Sequence, residues 1–159
     1  MSSYEQPSPS PAPAAATTPA APTARAISLI GYVLGISYPL LALSTGVRGI
    51  YQLLFRDDLT KLGPALSILA ACLYLIATRG FFTRTPRWWR ISVASLGIET
   101  ILTFVVGTLS FIVPEVIGST AWRHFGQDYG YFPLFQPLLG LIYLLWPATR
   151  VAFGVKSNE

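Results

Sequence analysis

ISVASLGIETILTFVVGTLSFIV, residues 91–113, decides how this chain is read. It runs for 23 residues with a single charged side chain, Glu99. About 20 predominantly apolar residues rising 1.5 Å each match a hydrocarbon core about 30 Å thick, so the stretch predicts a helix that crosses a bilayer. Three more stretches share its character, at residues 27–55, 62–80 and 132–148. Charged residues make up 11% of the 159-residue chain and lie mostly between these stretches, whereas a soluble domain carries about 25%. The expected fold class is all-α: a polytopic integral membrane protein, a four-transmembrane-helix bundle spanning residues 26–151.

Two tails flank that bundle. Residues 1–25 hold Pro7, Pro9, Pro11, Pro13, Pro19 and Pro22 among Ala, Ser and Thr. Such a composition buries too little apolar surface to offset the entropy of ordering, so a disordered N-terminal tail is expected. It has no positive charge before Arg25, unlike the start of a signal peptide. Residues 152–159 form a short C-terminal tail.

The net charge of +4 does not read as a nucleic-acid footprint, because the arginines gather in one short connection between apolar stretches. Lys and Arg mark the cytoplasmic side of membrane proteins. Arg25, Arg79, Arg84, Arg87, Arg90, Arg150 and Lys156 fall on one side; Arg56, Lys61 and Arg123 fall on the other, with Arg48 near that edge. Both termini are therefore expected in the cytoplasm. Aromatic belts support the same frame, with Trp88, Trp89 and Trp146 at the inner interface and Tyr51, Phe55, Trp122, Tyr129 and Tyr131 at the outer one.

Two of the spans carry a patterned face. In the first, Gly31, Gly35, Gly46 and Gly49 recur at near-helical spacing, and Gly31 with Gly35 forms a GxxxG pair. Small residues let helix backbones approach closely in lipid. The face serves either packing within the chain or a partner helix. In the third, Ser92, Ser95, Glu99, Thr103, Gly107 and Ser110 follow one another at steps of three or four residues, a polar stripe that must face protein or water. Glu99 lies eight residues past Ile91, on the order of 12 Å into the membrane. A carboxylate at that depth marks a functional site by default. Arg48 is the other charged residue well inside a span, but it is expected roughly 15–20 Å from the level of Glu99 and to snorkel to the outer interface. A neutral Glu99, hydrogen-bonded to Ser, Thr or Tyr of a neighbouring helix, is the favoured reading. Contact with a partner, or a proton or cation site, are the others. Glu99, Arg48, Ser95 and Thr103 are the candidate buried polar contacts.

The connection between the third and fourth spans is the one long loop, and Ser119 is placed to cap a short helical turn over 120–125, closed by Gly126. Its Trp122, Arg123, His124, Phe125 and Tyr129 are residue types enriched at interfaces, so they are candidate docking residues; the bland alternative is an anchor on lipid headgroups.

Enzyme chemistry finds little to work with. His124 is the single histidine and Cys72 the single cysteine, which leaves no pair of histidines for haem and no zinc-ligand spacing. Asp57 and Asp58 are adjacent and do not face each other on a helix. No cofactor, metal or catalytic residue is expected.

Residues 43–55 (LSTGVRGIYQLLF), 63–67 (GPALS), 106–110 (VGTLS) with Pro114 and Glu115, and 130–134 (GYFPL) resemble a family of small four-helix conserved membrane proteins of actinobacteria. One corynebacterial or mycobacterial branch is similar to an accessory subunit of the cytochrome bcc–oxidase respiratory supercomplex. The resemblance implies a bacterial plasma membrane location and large membrane-enzyme partners, and it carries over no catalytic residue. The leading expectation is thus a non-catalytic accessory or assembly subunit packed against a larger membrane complex. The alternative is a small oligomeric transporter or channel built around Glu99.

Overall fold

The computed structural model describes residues 22–155. The expected disordered tail falls almost wholly outside them, as does the end of the C-terminal tail. Within them the chain runs α1 (Pro22–Phe55), α2 (Leu62–Thr83), α3 (Pro86–Ile112), α4 (Pro114–Ile117), α5 (Phe132–Leu145) and α6 (Pro147–Ala152), with an irregular helical stretch at Arg123–Tyr129 between α4 and α5. The regular structure of the described residues is all helix, with no strand among them.

The helix ends follow local chemistry. α3 starts earlier than the expected residue 91, because Thr85 caps it, its Oγ accepting from the Trp88 N–H, and Pro86 occupies the first turn. α2 runs past residue 80 to Thr83. The arginine-rich connection therefore shrinks to Arg84 and Thr85, with Arg79, Arg87 and Arg90 on the helices themselves. Arg84 adopts the left-handed conformation (φ 47°, ψ 43°) and its N–H returns to the Gly80 carbonyl at 3.2 Å, a helix stop that glycine usually supplies. Pro114 follows the end of α3. α1 begins at Pro22, inside the segment assigned to the tail.

Three helices are long and apolar enough to cross a membrane: Ser28–Phe55 within α1, α2, and Pro86–Ile112. The helix expected over 132–148 is divided in two. A continuous helix over 132–148 does not form, because Pro147 lacks an N–H and drives Trp146 into an extended conformation (φ −60°, ψ 133°), ending α5 after 14 residues. At 1.5 Å per residue α5 is about 21 Å long, short of a hydrocarbon core of about 30 Å. α6 then starts afresh at Pro147.

α1 packs chiefly on α2, α2 on α3, and α3 on α5. Successive helices run antiparallel, so the α2–α3 turn lies at one end of the bundle, with the start of α1 and the end of α5, and the Val113–Tyr131 loop lies at the other. Large apolar side chains such as Leu29, Leu40, Leu43, Leu54, Ile101 and Phe111 point outward, the reverse of a water-soluble helix. The interior holds aromatics and small polar groups. Near the turn end Tyr38, Phe81 and Tyr143 form a run of rings, with centroids 5.2 and 5.7 Å apart. The C-terminal segment is anchored rather than free up to Phe153, which is buried.

Candidate functional site

The polar stripe of α3 faces protein along its whole length. Ser92 donates to the Ala77 carbonyl at 3.2 Å and Ser95 to the Leu73 carbonyl at 2.9 Å, both on α2. Thr103 donates to the Glu99 carbonyl at 2.8 Å and to the Pro133 carbonyl of α5 at 3.2 Å. Ser110 donates to the Gly107 carbonyl at 2.6 Å and accepts the His124 N–H at 2.8 Å. Hydroxyls that would otherwise sit unsatisfied in hydrocarbon are thereby spent on helix–helix and helix–loop bonds.

Glu99 sits at the middle of the stripe with no exposed surface. Its Oε1 accepts the indole N–H of Trp122 at 2.9 Å. The Tyr74 hydroxyl of α2 faces the same carboxyl group and interacts with it, without closing to full hydrogen-bond geometry. The favoured expectation placed Ser, Thr or Tyr of a neighbouring helix here. The principal partner is instead an indole from the loop, with a tyrosine beside it.

Trp122 is accordingly a correction. Expected as an outward docking residue at the membrane interface, it is fully buried, and Thr120 and Ala121 are buried with it. The loop folds back into the loop end of the bundle and plugs it. The Ala121 N–H donates to Ser67 Oγ of α2 at 2.9 Å. Gly63 permits the approach: a Cβ there would lie 2.6 Å from the Ser119 carbonyl oxygen and 2.8 Å from that of Ile117. The helical turn expected over 120–125 lies instead at Arg123–Tyr129, closed by left-handed Gly130, and Ser119 does not cap it. Of the other docking candidates, Phe125 packs on Gly107, where a Cβ would meet its ring edge, and His124 stacks on Phe111 at 4.2 Å. Tyr129 lies under Arg48, and only Arg123 of the five is exposed. They form no common outward patch.

Arg48 lies at the loop end. Its Nη2 donates to Ser119 Oγ at 3.0 Å and approaches Asp128 Oδ2 at 3.5 Å, while its guanidinium sits 5.5 Å from the Tyr129 ring centroid. Gln52 Nε2 reaches the same Ser119 hydroxyl at 3.4 Å. Arg48 thus holds the loop from outside while Glu99 holds it from within, and the two do not pair.

The glycines of α1 are used inside the chain. A Cβ on Gly31 would collide with the Tyr143 hydroxyl of α5. One on Gly35 would press on Phe81 and Phe82, one on Gly46 on Ala71, and one on Gly49 on the Pro64 carbonyl oxygen, all of α2. The close α1–α2 contact needs these positions bare.

Sequence reasoning had no means of finding Trp122 as the partner of Glu99. The only local signal is its setting among small residues, Ser119, Thr120 and Ala121, which let a backbone press against a helix. No protein-family model, curated protein or solved structure matches this chain.

Proposed function

We propose that this chain is a non-catalytic accessory or assembly subunit of a larger membrane complex. α1, α2, α3 and α5 make four crossings of a bacterial plasma membrane, α5 being the short one, and both termini lie in the cytoplasm with the α2–α3 turn. The actinobacterial resemblance makes the cytochrome bcc–oxidase supercomplex the first partner to test.

The observation that carries the reading is the bond between Glu99 and Trp122. A transporter built around a membrane-embedded carboxylate needs that group on a path open to substrate. Here the carboxyl group is sealed under its own loop, and the hydroxyls of the stripe bond within the chain. What the helices offer to their surroundings is apolar surface, suited to packing against lipid and other helices.

Affinity purification of the full chain from native membranes in a mild detergent, followed by mass spectrometry and a haem absorbance spectrum, tests this. Stoichiometric recovery of partner subunits is expected, with haem in the eluate if the partner is the respiratory complex. Recovery of a homo-oligomer alone, with pH-dependent flux in proteoliposomes that Glu99→Gln abolishes, would establish the transporter instead. Orientation has its own check: with Cys72→Ser as background, Asp58→Cys is expected to react with an impermeant maleimide on intact cells, and Arg87→Cys only after permeabilisation. The opposite pattern inverts the topology.

A further inference from the structure

The first turn of α3 carries two consecutive tryptophans, about 100° apart around the helix, so each meets a different neighbour. Trp89 turns toward the C-terminal segment. Its indole N–H donates to the Leu144 carbonyl at 2.8 Å, and the Arg150 guanidinium lies 5.7 Å from its ring centroid. Trp88 turns toward α2, where the Arg79 guanidinium lies over its ring, 5.2 Å from the centroid. That distance is within the reach of a cation–π contact. A guanidinium held over a ring keeps its N–H edge for an anion. Among the described residues nothing accepts a hydrogen bond from Arg79.

Position and charge say which anion. Arg79 lies about 26 Å along α2 from Leu62, close to the far edge of a hydrocarbon core about 30 Å thick. Arg79 is exposed, and so are Ile76 and Phe82, three residues to either side of it on the same flank of the helix. In a bilayer acyl chains cover those two, and the arginine reaches up to the phosphate level. At the loop end the chain supplies its own anions: Arg48 meets Asp128 at 3.5 Å, Arg56 meets Asp58 at 2.7 Å and Lys61 meets Asp57 at 3.0 Å. Only Arg123, out in the loop, goes without. At the turn end Arg79 is joined by Arg84, Arg87 and Arg90, all exposed, and among the described residues no carboxylate pairs with any of the four. Such a field favours a headgroup with net negative charge over one that carries its own cation.

We propose that Arg79, held over Trp88 at the lipid-facing end of the α2–α3 hairpin, binds the phosphate of an anionic phospholipid, with Arg87 and Arg90 adding to the positive field. This rests on the chain being a membrane protein and not on which complex it joins.

The test is native mass spectrometry of the full chain, stripped of lipid in detergent and offered phosphatidylglycerol and phosphatidylcholine of identical chains in equal amounts. Phosphatidylglycerol is expected to be retained about tenfold over phosphatidylcholine. Arg79→Gln is expected to lower that ratio about fivefold. Trp88→Leu keeps every charge but removes the ring that holds the guanidinium, and is expected to lower it about twofold. Arg56→Gln, which removes a cation that already has a carboxylate, is expected to leave it unchanged. Equal retention of the two lipids by the unaltered chain overturns the proposal, as does a ratio that survives Arg79→Gln or falls as far in Arg56→Gln. A ratio untouched by Trp88→Leu overturns the stacked pair as the site. Soluble glycerol phosphate is expected not to compete; competition would show that a phosphate alone, not a lipid, is recognised. Tighter retention of a hexaglutamate peptide than of phosphatidylglycerol would assign the site to an acidic protein segment and overturn the lipid. Release of the chain from membranes by alkaline carbonate is scored separately, and it would remove the membrane reading itself and this proposal with it.

Discussion

The Trp122 indole nitrogen donates to Glu99 Oε1 at 2.9 Å, and both side chains are wholly buried. A loop residue and a helix residue thus close one end of the bundle between them. Without that bond the buried indole N–H would stand unsatisfied, and the carboxyl group would keep only the Tyr74 hydroxyl beside it.

Glu99→Gln keeps an oxygen that accepts the indole N–H, so it is expected to unfold within a few degrees of the unaltered chain in detergent. Glu99→Ala leaves the indole without an acceptor and opens a cavity, at a cost of about 2–4 kcal/mol. Trp122→Phe, which keeps most of the volume but not the donor, is expected between them, at about 1–3 kcal/mol. Thermal unfolding followed by fluorescence sets the order. If Gln proves as damaging as Ala, the charge of Glu99 is needed and the bond is not the reason for its presence.

Arg48 is half exposed, at 38%, and its partner Asp128 nearly so, at 34%, so the ion pair alone is worth little. The bond to Ser119 and the Tyr129 ring add to it. Arg48→Gln is expected to cost about 1 kcal/mol and to speed hydrogen exchange over residues 118–131 while leaving α2 and α3 unchanged. Uniform exchange across the chain would place Arg48 in the global fold rather than in loop closure.

Two glycines give opposite outcomes with alanine. At Gly63 a Cβ runs into two backbone carbonyls of the loop, so Gly63→Ala is expected to destabilise by about 1–3 kcal/mol. At Gly97, in the middle of α3, a Cβ meets nothing within 4 Å. Gly97→Ala is expected to stabilise by about 0.5 kcal/mol, through the helix preference of alanine. A single pair of melting curves decides both, and a loss at Gly97 would mean that another chain packs there.

Acid should act outside the spans, at Asp58. Arg56 Nε and Nη2 donate to its two oxygens at 2.8 and 2.7 Å, and these bonds hold its carboxyl group down to about 2. An unperturbed aspartate titrates near 3.9. The folded value lies below the unfolded one, so the pair's small contribution is complete above about pH 4 and is lost as pH falls through about 2. The carboxyl carbon shift of Asp58 is expected to titrate with a midpoint near 2, moving up toward 4 in Arg56→Gln. A midpoint near 4 in the unaltered chain would show that the pair does not persist in solution.

Several features were legible from residues 91–113 outward because they are local sums. Exclusion of charge from a window reports hydrophobic length, whatever the neighbours are, and it located α1, α2 and α3. The three-and-four spacing of Ser92, Ser95, Glu99, Thr103, Gly107 and Ser110 placed them on one face because a helix has a fixed period.

Tertiary structure decided what a window cannot sum. Trp122 has the composition of an interface residue, yet it turns inward because Gly63 admits the loop and Glu99 offers an acceptor, two positions remote in sequence. The glycines of α1 could have served a partner or the chain; Phe81, Ala71, Pro64 and Tyr143 settled that by standing opposite them. The sequence alone determined that apolar helices form and which faces must be covered. Only the packed structure determined what covers them, because burial is a relation between segments and not a property of one.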